Sequence, residues 1–386
     1  MSRLHKFDYR IKDNRKRNTL LVSICLLILI VVGIKLYKSY AKFEVESDSY
    51  EMINGTVVEP VNAVEYLSSI VDDNATTMFI DDTPDENIRY MGSNPNNYVK
   101  FNNELWRIIG VMNNVDGGEV SGDRASRVKL IRNESLGRFP YYDSCADENW
   151  TNSGDGTYIC SKKRTDNNWT GSTINEILTT YYNNGTYAPY HGYMYINNKW
   201  VDYPTNEIDY TISGIRATAK KLIESATYYL GGYLLNNNSS IDTFYYQNMN
   251  CNTWYNAERK NNGTNNSLTW TGNLGLMYIS DYGYATNGGS NDNKLLCSNY
   301  SIYSWSESEK SFCVNNDWIH RYSFPEWSIV PLADSNTHVA SVSNAIANST
   351  YHGFETRPVV YLKSTVKIIA GPNSDGSASK PYKLTI

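Results

Sequence analysis

The chain has 386 residues, of which 41% are hydrophobic, 13% aromatic and 19% charged. That content excludes a disordered chain, and 25 Gly without persistent heptads excludes collagen-like and coiled-coil chains. The formal charge of −5 divides into +8 over residues 1–42 (ten Lys/Arg against Asp8 and Asp13) and −13 over the rest, and so acidic a body is a poor partner for nucleic acid.

In chain order, residues 1–18 form a basic arm. Thr19–Ile34 follows with no charge in sixteen residues, and nineteen are counted on to Tyr37. As a helix this run spans about 28 Å, close to a bilayer's hydrocarbon thickness. Lys35 and Lys38 can snorkel, and Tyr37 and Tyr40 sit at interfacial depth. The spacing predicts a transmembrane signal anchor over 19–37, with the amino terminus cytoplasmic and the remainder extracellular at the cell membrane. A signal peptide cleaved after Ala41 is the alternative. The run is long for one, and two lysines separate it from the cut.

Residues 38–58 read as a polar stalk and residues 59–386 as an exported α+β domain with short strands, two main helices and long Asn/Tyr-rich loops. Val61, Val64, Leu67 and Ile70 space a short helix. Tyr98–Phe101, the turn Asn102-Asn103 and Leu105–Val111 form a hairpin signature, and Arg127–Ile131 reads as a strand. The two main helices are expected over Ser172–Tyr182, with Glu176 behind a Ser/Thr cap, and over Ser213–Leu230, ended by Gly231-Gly232. Strands are expected at Leu274–Ile279, Trp327–Leu332, His338–Val342, Arg357–Leu362, Val366–Ile369 and Tyr382–Ile386. A short helical turn after Ser280-Asp281 is expected as well. Strands at both ends suggest that the termini of the domain pair in one sheet.

The cysteines agree with export. Cys25 lies in the apolar run. Cys145 and Cys160 are fifteen residues apart, Cys297 and Cys313 sixteen. Both pairs are predicted disulfides, each closing a loop whose chain-entropy value is about 3 kcal/mol. Cys251 is left over, as a free thiol, an intermolecular partner or a sign of different pairing.

Catalytic motifs are absent: no G-x-S-x-G, H-E-x-x-H, G-x-x-x-x-G-K-[ST] or G-x-G-x-x-G occurs. His191, His320, His338 and His352 lack metal-ligand spacing. Asn114–Gly117 with Asp123 has a partial calcium-loop pattern, but Met112 holds the first ligand place and Asp replaces the final Glu. No metal or cofactor is implied. Glu307, Glu309 and Glu326 would serve as paired acid and base only if a cleft brought them together.

The 33 Tyr, 9 Trp and many Asn suit sugar rings or protein partners. Tyr282, Tyr284, Trp305 and Trp318 are the candidate ligand-binding residues, against packing as the ordinary fate of such side chains. Trp106, Trp270 and Trp327 are expected in the core.

The segments NPNNYVKFNNELWRIIGVM (94–112), RVKLIRNES (127–135), WTGNLGLMYISDYGYAT (270–286), NNDWI (315–319), EWSIVPL (326–332) and RPVVYLKS (357–364) form an ordered series. As a set it resembles a group of uncharacterised cell-surface proteins of low-GC Gram-positive bacteria. The closing pattern resembles that of C-type-lectin-like domains, including the formylglycine-generating-enzyme branch. The resemblance implies a C-type-lectin-like fold with long loops on one side. Asn316-Asp317-Trp318 departs from the Trp-Asn-Asp order, so no calcium ligands carry over. The Asn/Ser-rich setting of Cys297 and Cys313 carries no catalytic cysteine.

The functional expectation is a membrane-anchored extracellular binding or adhesion domain for a surface glycan or protein, with no nucleic acid. A cell-envelope hydrolase using paired carboxylates, or a structural assembly subunit, are the alternatives.

Overall fold

The computed structural model describes Ile30 and residues 51–53, 56–71, 77–118, 122–142, 150–152, 158–160, 168–183, 193–196, 199–202, 214–231, 248–259, 269–320, 324–331, 338–342, 346–349 and 353–386. The chain divides into two compact units, Met1–Glu59 and Pro60–Ile386. In the first, Glu51–Ile53 and Thr56–Val58 pair as an antiparallel hairpin.

The second unit is organised on a ten-stranded sheet. Its centre is the hairpin of Tyr98–Phe101 and Glu104–Asp116, extended by Arg124–Arg132. Asn102 and Asn103 both take positive φ, 59° and 60°. A two-residue turn matching the twist of its strands demands this, and asparagine tolerates it. On one side Val359–Leu362 and then Ile223–Glu224 continue the sheet. On the other, Tyr382–Thr385 adds in parallel, followed by Lys367–Ile369 and Val61–Asn62. The two ends of this unit therefore meet in one sheet.

Gly110 lets Ile88–Tyr90 pair with the long strand. A Cβ there would lie 1.9 Å from the carbonyl oxygen of Ile88, and the register slips between Ile108 and Gly110. A second sheet runs Ile346–Ser349, His338–Val342, Glu326–Pro331, Gly353–Glu355, Arg138–Pro140. Its strand Glu326–Pro331 is buried throughout. Asn62 caps the helix Ala63–Ser69 by accepting from the N–H groups of Val64 and Glu65.

The expected fold is corrected on two points. Among the described residues no helix is long and apolar enough to cross a membrane. The longest, Thr173–Asn183, has 11 residues and spans about 16 Å. Of the apolar run only Ile30 is described, as helix; the rest of 19–37, the basic arm and most of the stalk lie outside the described residues.

The second correction concerns Ser213–Leu230. The expected second main helix is a four-residue helix, Ala217–Lys220, followed by the strands Ile223–Glu224 and Ala226–Tyr229. The apolar residues that mimic helical spacing also alternate. Ala226, Tyr228 and Leu230 are buried, Thr227 and Tyr229 half-buried. Thr and Tyr favour strand, and pairing partners at Tyr361–Leu362 and Thr269–Gly272 decide the outcome. Leu274–Met277 is likewise not a strand, and only Gly275 bridges to Val359.

Candidate functional site

A cavity of about 170 Å³ opens between the helix Thr173–Asn183 and residues 270–274. The helix begins where Ser172 Oγ accepts the N–H of Asn175 at 3.1 Å. Its apolar stripe of Ile174, Ile177, Leu178 and Tyr181 packs inward. The phenol of Tyr181 donates to Glu104 at 3.0 Å and ties the helix to the central sheet. Tyr182, Asn183 and Thr179 lie on the side that lines the cavity.

The opposite wall is the strand Thr269–Gly272, paired to Ala226–Tyr229. Alternation leaves Thr269 and Thr271 exposed and turns Trp270 and Gly272 to the half-buried face. Trp270 is held by an edge-on contact with Trp169 at 5.4 Å and a tilted one with its cross-strand partner Tyr228 at 5.5 Å. Trp169 and Tyr228 are themselves buried. The indole's benzene ring lies directly on Gly272, where a Cβ would stand 2.0 Å from its Cη2. Only glycine leaves room for that placement.

Leu178 and Leu274 give the cavity an apolar floor, and Asn183, Asn273 and Thr179 supply amides and a hydroxyl. Among the described residues no charged side chain lines it. Burial raises the Tyr182 phenol above its ordinary value, so it stays a neutral donor. Lys220 Nζ sits 4.6 Å from the centre of that ring.

The aromatic residues singled out in the sequence are placed in the interior. Tyr282 and Trp305 pack together at 5.3 Å, exposed by 0% and 1%. Trp318 donates its indole N–H to the Tyr90 carbonyl at 2.8 Å and lies against the Arg107 guanidinium. Tyr284 donates to the Asp82 carboxylate. None of the four presents a face to solvent. Trp106 and Trp327 are core residues, as their strand settings suggest. Trp270, expected beside them, is half-buried and lines the cavity. Its neighbour Gly272 was the available signal, since a small residue two positions along a strand leaves an indole room to lie flat.

Cys297 and Cys313 form a disulfide joining the helices Asn291–Asn299 and Ser311–Asn315. Cys251 is a free, fully buried thiol, raised far above its ordinary value by burial. Cys145 lies outside the described residues, as does the side chain of Cys160, which ends the strand Tyr158–Cys160.

Among the described residues no three His, Cys, Asp or Glu side chains group to hold a metal ion. Of the histidines, His191 and His352 lie outside the described residues, while burial lowers His320 and His338. The three candidate carboxylates stand in different settings. Glu307 and Glu309 are exposed; Glu326 is fully buried and bound by Arg357 Nε at 2.7 Å and Nη2 at 2.9 Å.

A cluster of charged groups lies in the core. Arg89 bridges Asp81 (2.8 Å) and Asp281 (2.6 Å), and Lys129 joins Asp281 at 2.5 Å, all four being buried. Burial pushes Asp281 up, but Lys129 and Arg89 overcome it and hold the carboxyl below its ordinary range. Burial pulls Lys129 down to about 8 against the attraction of Asp281. It pushes Glu258 up to about 7, against Arg259 and the Ser280 donors, and Asp317 to about 7, against the N–H groups of Ile319 and His320.

Compared with known proteins, the chain matches no family model, no curated protein and no solved structure.

Proposed function

We propose that residues 60–386 form an exported recognition domain that binds a neutral glycan through the cleft at Trp270. The observation that carries this reading is the composition of the cleft among the described residues: a fixed indole and a phenol, three neutral hydrogen-bonding side chains and no charged one. Aromatic rings pack on the apolar faces of a sugar while amides satisfy its hydroxyls. The cavity is smaller than the roughly 300–1,000 Å³ that encloses drug-sized ligands, so it takes one ring of a longer chain. The disulfide between Cys297 and Cys313 supports an oxidising, extracytoplasmic compartment.

The experiment is titration of the full chain with neutral oligosaccharides, followed by NMR of the tryptophan indole N–H signals. Binding that shifts the Trp270 signal and weakens about two- to tenfold in Trp270→Ala supports the reading, because ring contacts of this kind are worth about 0.5–1.5 kcal/mol. Binding unaffected by that substitution counts against this cleft, and absence of binding at millimolar sugar counts against the ligand class.

A further inference from the structure

Lys129 lies on the central strand Arg124–Arg132, and Asp281 in the short helix Ile279–Gly283 packed beside it. Their side chains are each 1% exposed, and Lys129 Nζ stands 2.5 Å from Asp281 Oδ2. The amine faces the rings of Tyr278 at 4.3 Å and Tyr361 at 5.3 Å, both buried. The other carboxylate oxygen, Oδ1, is held by Arg89 Nη1 at 2.6 Å, and the charge of Arg89 is answered in turn by Asp81. The backbone N–H of Tyr278 donates to Oδ2 at 2.9 Å.

We propose that Lys129 and Asp281 condense to an intramolecular amide, a covalent crosslink between the central sheet and the helix Ile279–Gly283. The bond from Nζ to Cγ forms and the bond from Cγ to Oδ2 breaks. The ammonium group gives two of its three protons to Oδ2, which leaves as water, and one hydrogen stays on the amide nitrogen. Ammonium and carboxylate balance against amide and water, so no oxidant or outside proton is required.

Each neighbour has a part in that step. Arg89 donates to Oδ1, where negative charge gathers as the nitrogen adds to Cγ, and Oδ1 remains as the amide oxygen. Fixing amine and carboxyl together supplies the effective concentration that free reactants lack. The aromatic walls exclude the water that would reverse the reaction. A neutral amide also relieves the burial of an ammonium ion, which is costly even when paired. The reacting form is the neutral tautomer of the pair, in which one ammonium proton has already passed to Oδ2; burial, which disfavours the ammonium, makes that transfer less costly. Because Lys129 and Arg89 favour the ionised Asp281, that neutral form is scarce, and condensation is a slow, single event of maturation rather than a turnover.

The test is mass spectrometry of the purified full chain, denatured and reduced. The expected result is an intact mass lower by one water and, after digestion, a branched peptide joining the segment that holds Lys129 to the one that holds Asp281. Lys129→Arg should restore the full mass, whether or not that variant folds. The unmodified mass, with Lys129 open to acetylation in denaturant, would overturn the proposal. So would a loss of water without the branched peptide, since Asp-Gly sites such as Asp116-Gly117 also dehydrate.

Discussion

The buried pair of Glu326 and Arg357 offers the sharpest test of what holds the two sheets. Glu326 starts a strand of the second sheet, and Arg357 precedes Val359–Leu362 of the first. The guanidinium binds both carboxylate oxygens, at 2.7 and 2.9 Å, with both side chains fully buried. It also donates to the Ile319 carbonyl. Arg357→Met would leave the buried Glu326 carboxyl without its guanidinium partner. Breaking such a pair from one side costs about 3–5 kcal/mol, against a total stability of about 5–15 kcal/mol for an ordinary domain. The double variant Glu326→Leu/Arg357→Met removes the charge together with its partner and should recover most of the loss. Urea denaturation followed by tryptophan fluorescence would measure both. A loss below about 1 kcal/mol in the single variant, the range of exposed pairs, would refute the reasoning.

Gly272→Ala should displace the Trp270 indole, because the new methyl would sit 2.0 Å from Cη2; a stability loss of about 1–3 kcal/mol and a shifted indole N–H signal are expected, and an unshifted signal would contradict the packing described. Opening the Cys297–Cys313 bridge by replacing both with Ala should cost about 3 kcal/mol in the same denaturation assay. Cys251 should resist thiol reagents in the native protein and react once it unfolds, and rapid native labelling would contradict its burial. Glu258 and Asp317 bind protons more tightly folded (about 7 for each) than unfolded, where 4.5 and 3.8 apply. Their contribution is complete below the unfolded values and is lost as pH rises towards 7. Relative to Glu258→Gln/Asp317→Asn, the wild-type chain should therefore lose stability between pH 5 and 7.5. His320 and His338 titrate in the opposite sense in both chains and cancel from the difference.

Much of the sheet was legible because its signals are local. Asn102-Asn103 between two β-rich runs specifies a tight hairpin, and the runs at Arg127–Ile131 and His338–Val342 have the composition of buried strands. The helix over Thr173–Asn183 was legible from its Ser/Thr cap with Glu176 behind it. Ser213–Leu230 was not, since its apolar spacing fits two periods and the choice rests on strands some 40 and 140 residues away, which no local window contains. The cleft was hidden for a related reason. Whether a tryptophan faces core or solvent depends on what packs over it. Trp305 and Trp318 lie near a polar, disulfide-closed segment yet turn inward, while Trp270 lies between β-formers and reaches a surface. The buried ions could not be read from sequence at all, because Arg89, Lys129 and Asp281 meet only through tertiary folding across 192 and 152 residues.

The account rests most on the cleft at Trp270, and indole N–H spectra of the full chain during titration with neutral oligosaccharides test it directly. Saturable movement of the Trp270 signal in the unaltered chain, disturbed in Gly272→Ala, with sugar affinity about two- to tenfold lower in Trp270→Ala, is the result predicted. Spectra that stay unchanged at millimolar sugar, or a response that survives loss of the indole, would contradict it.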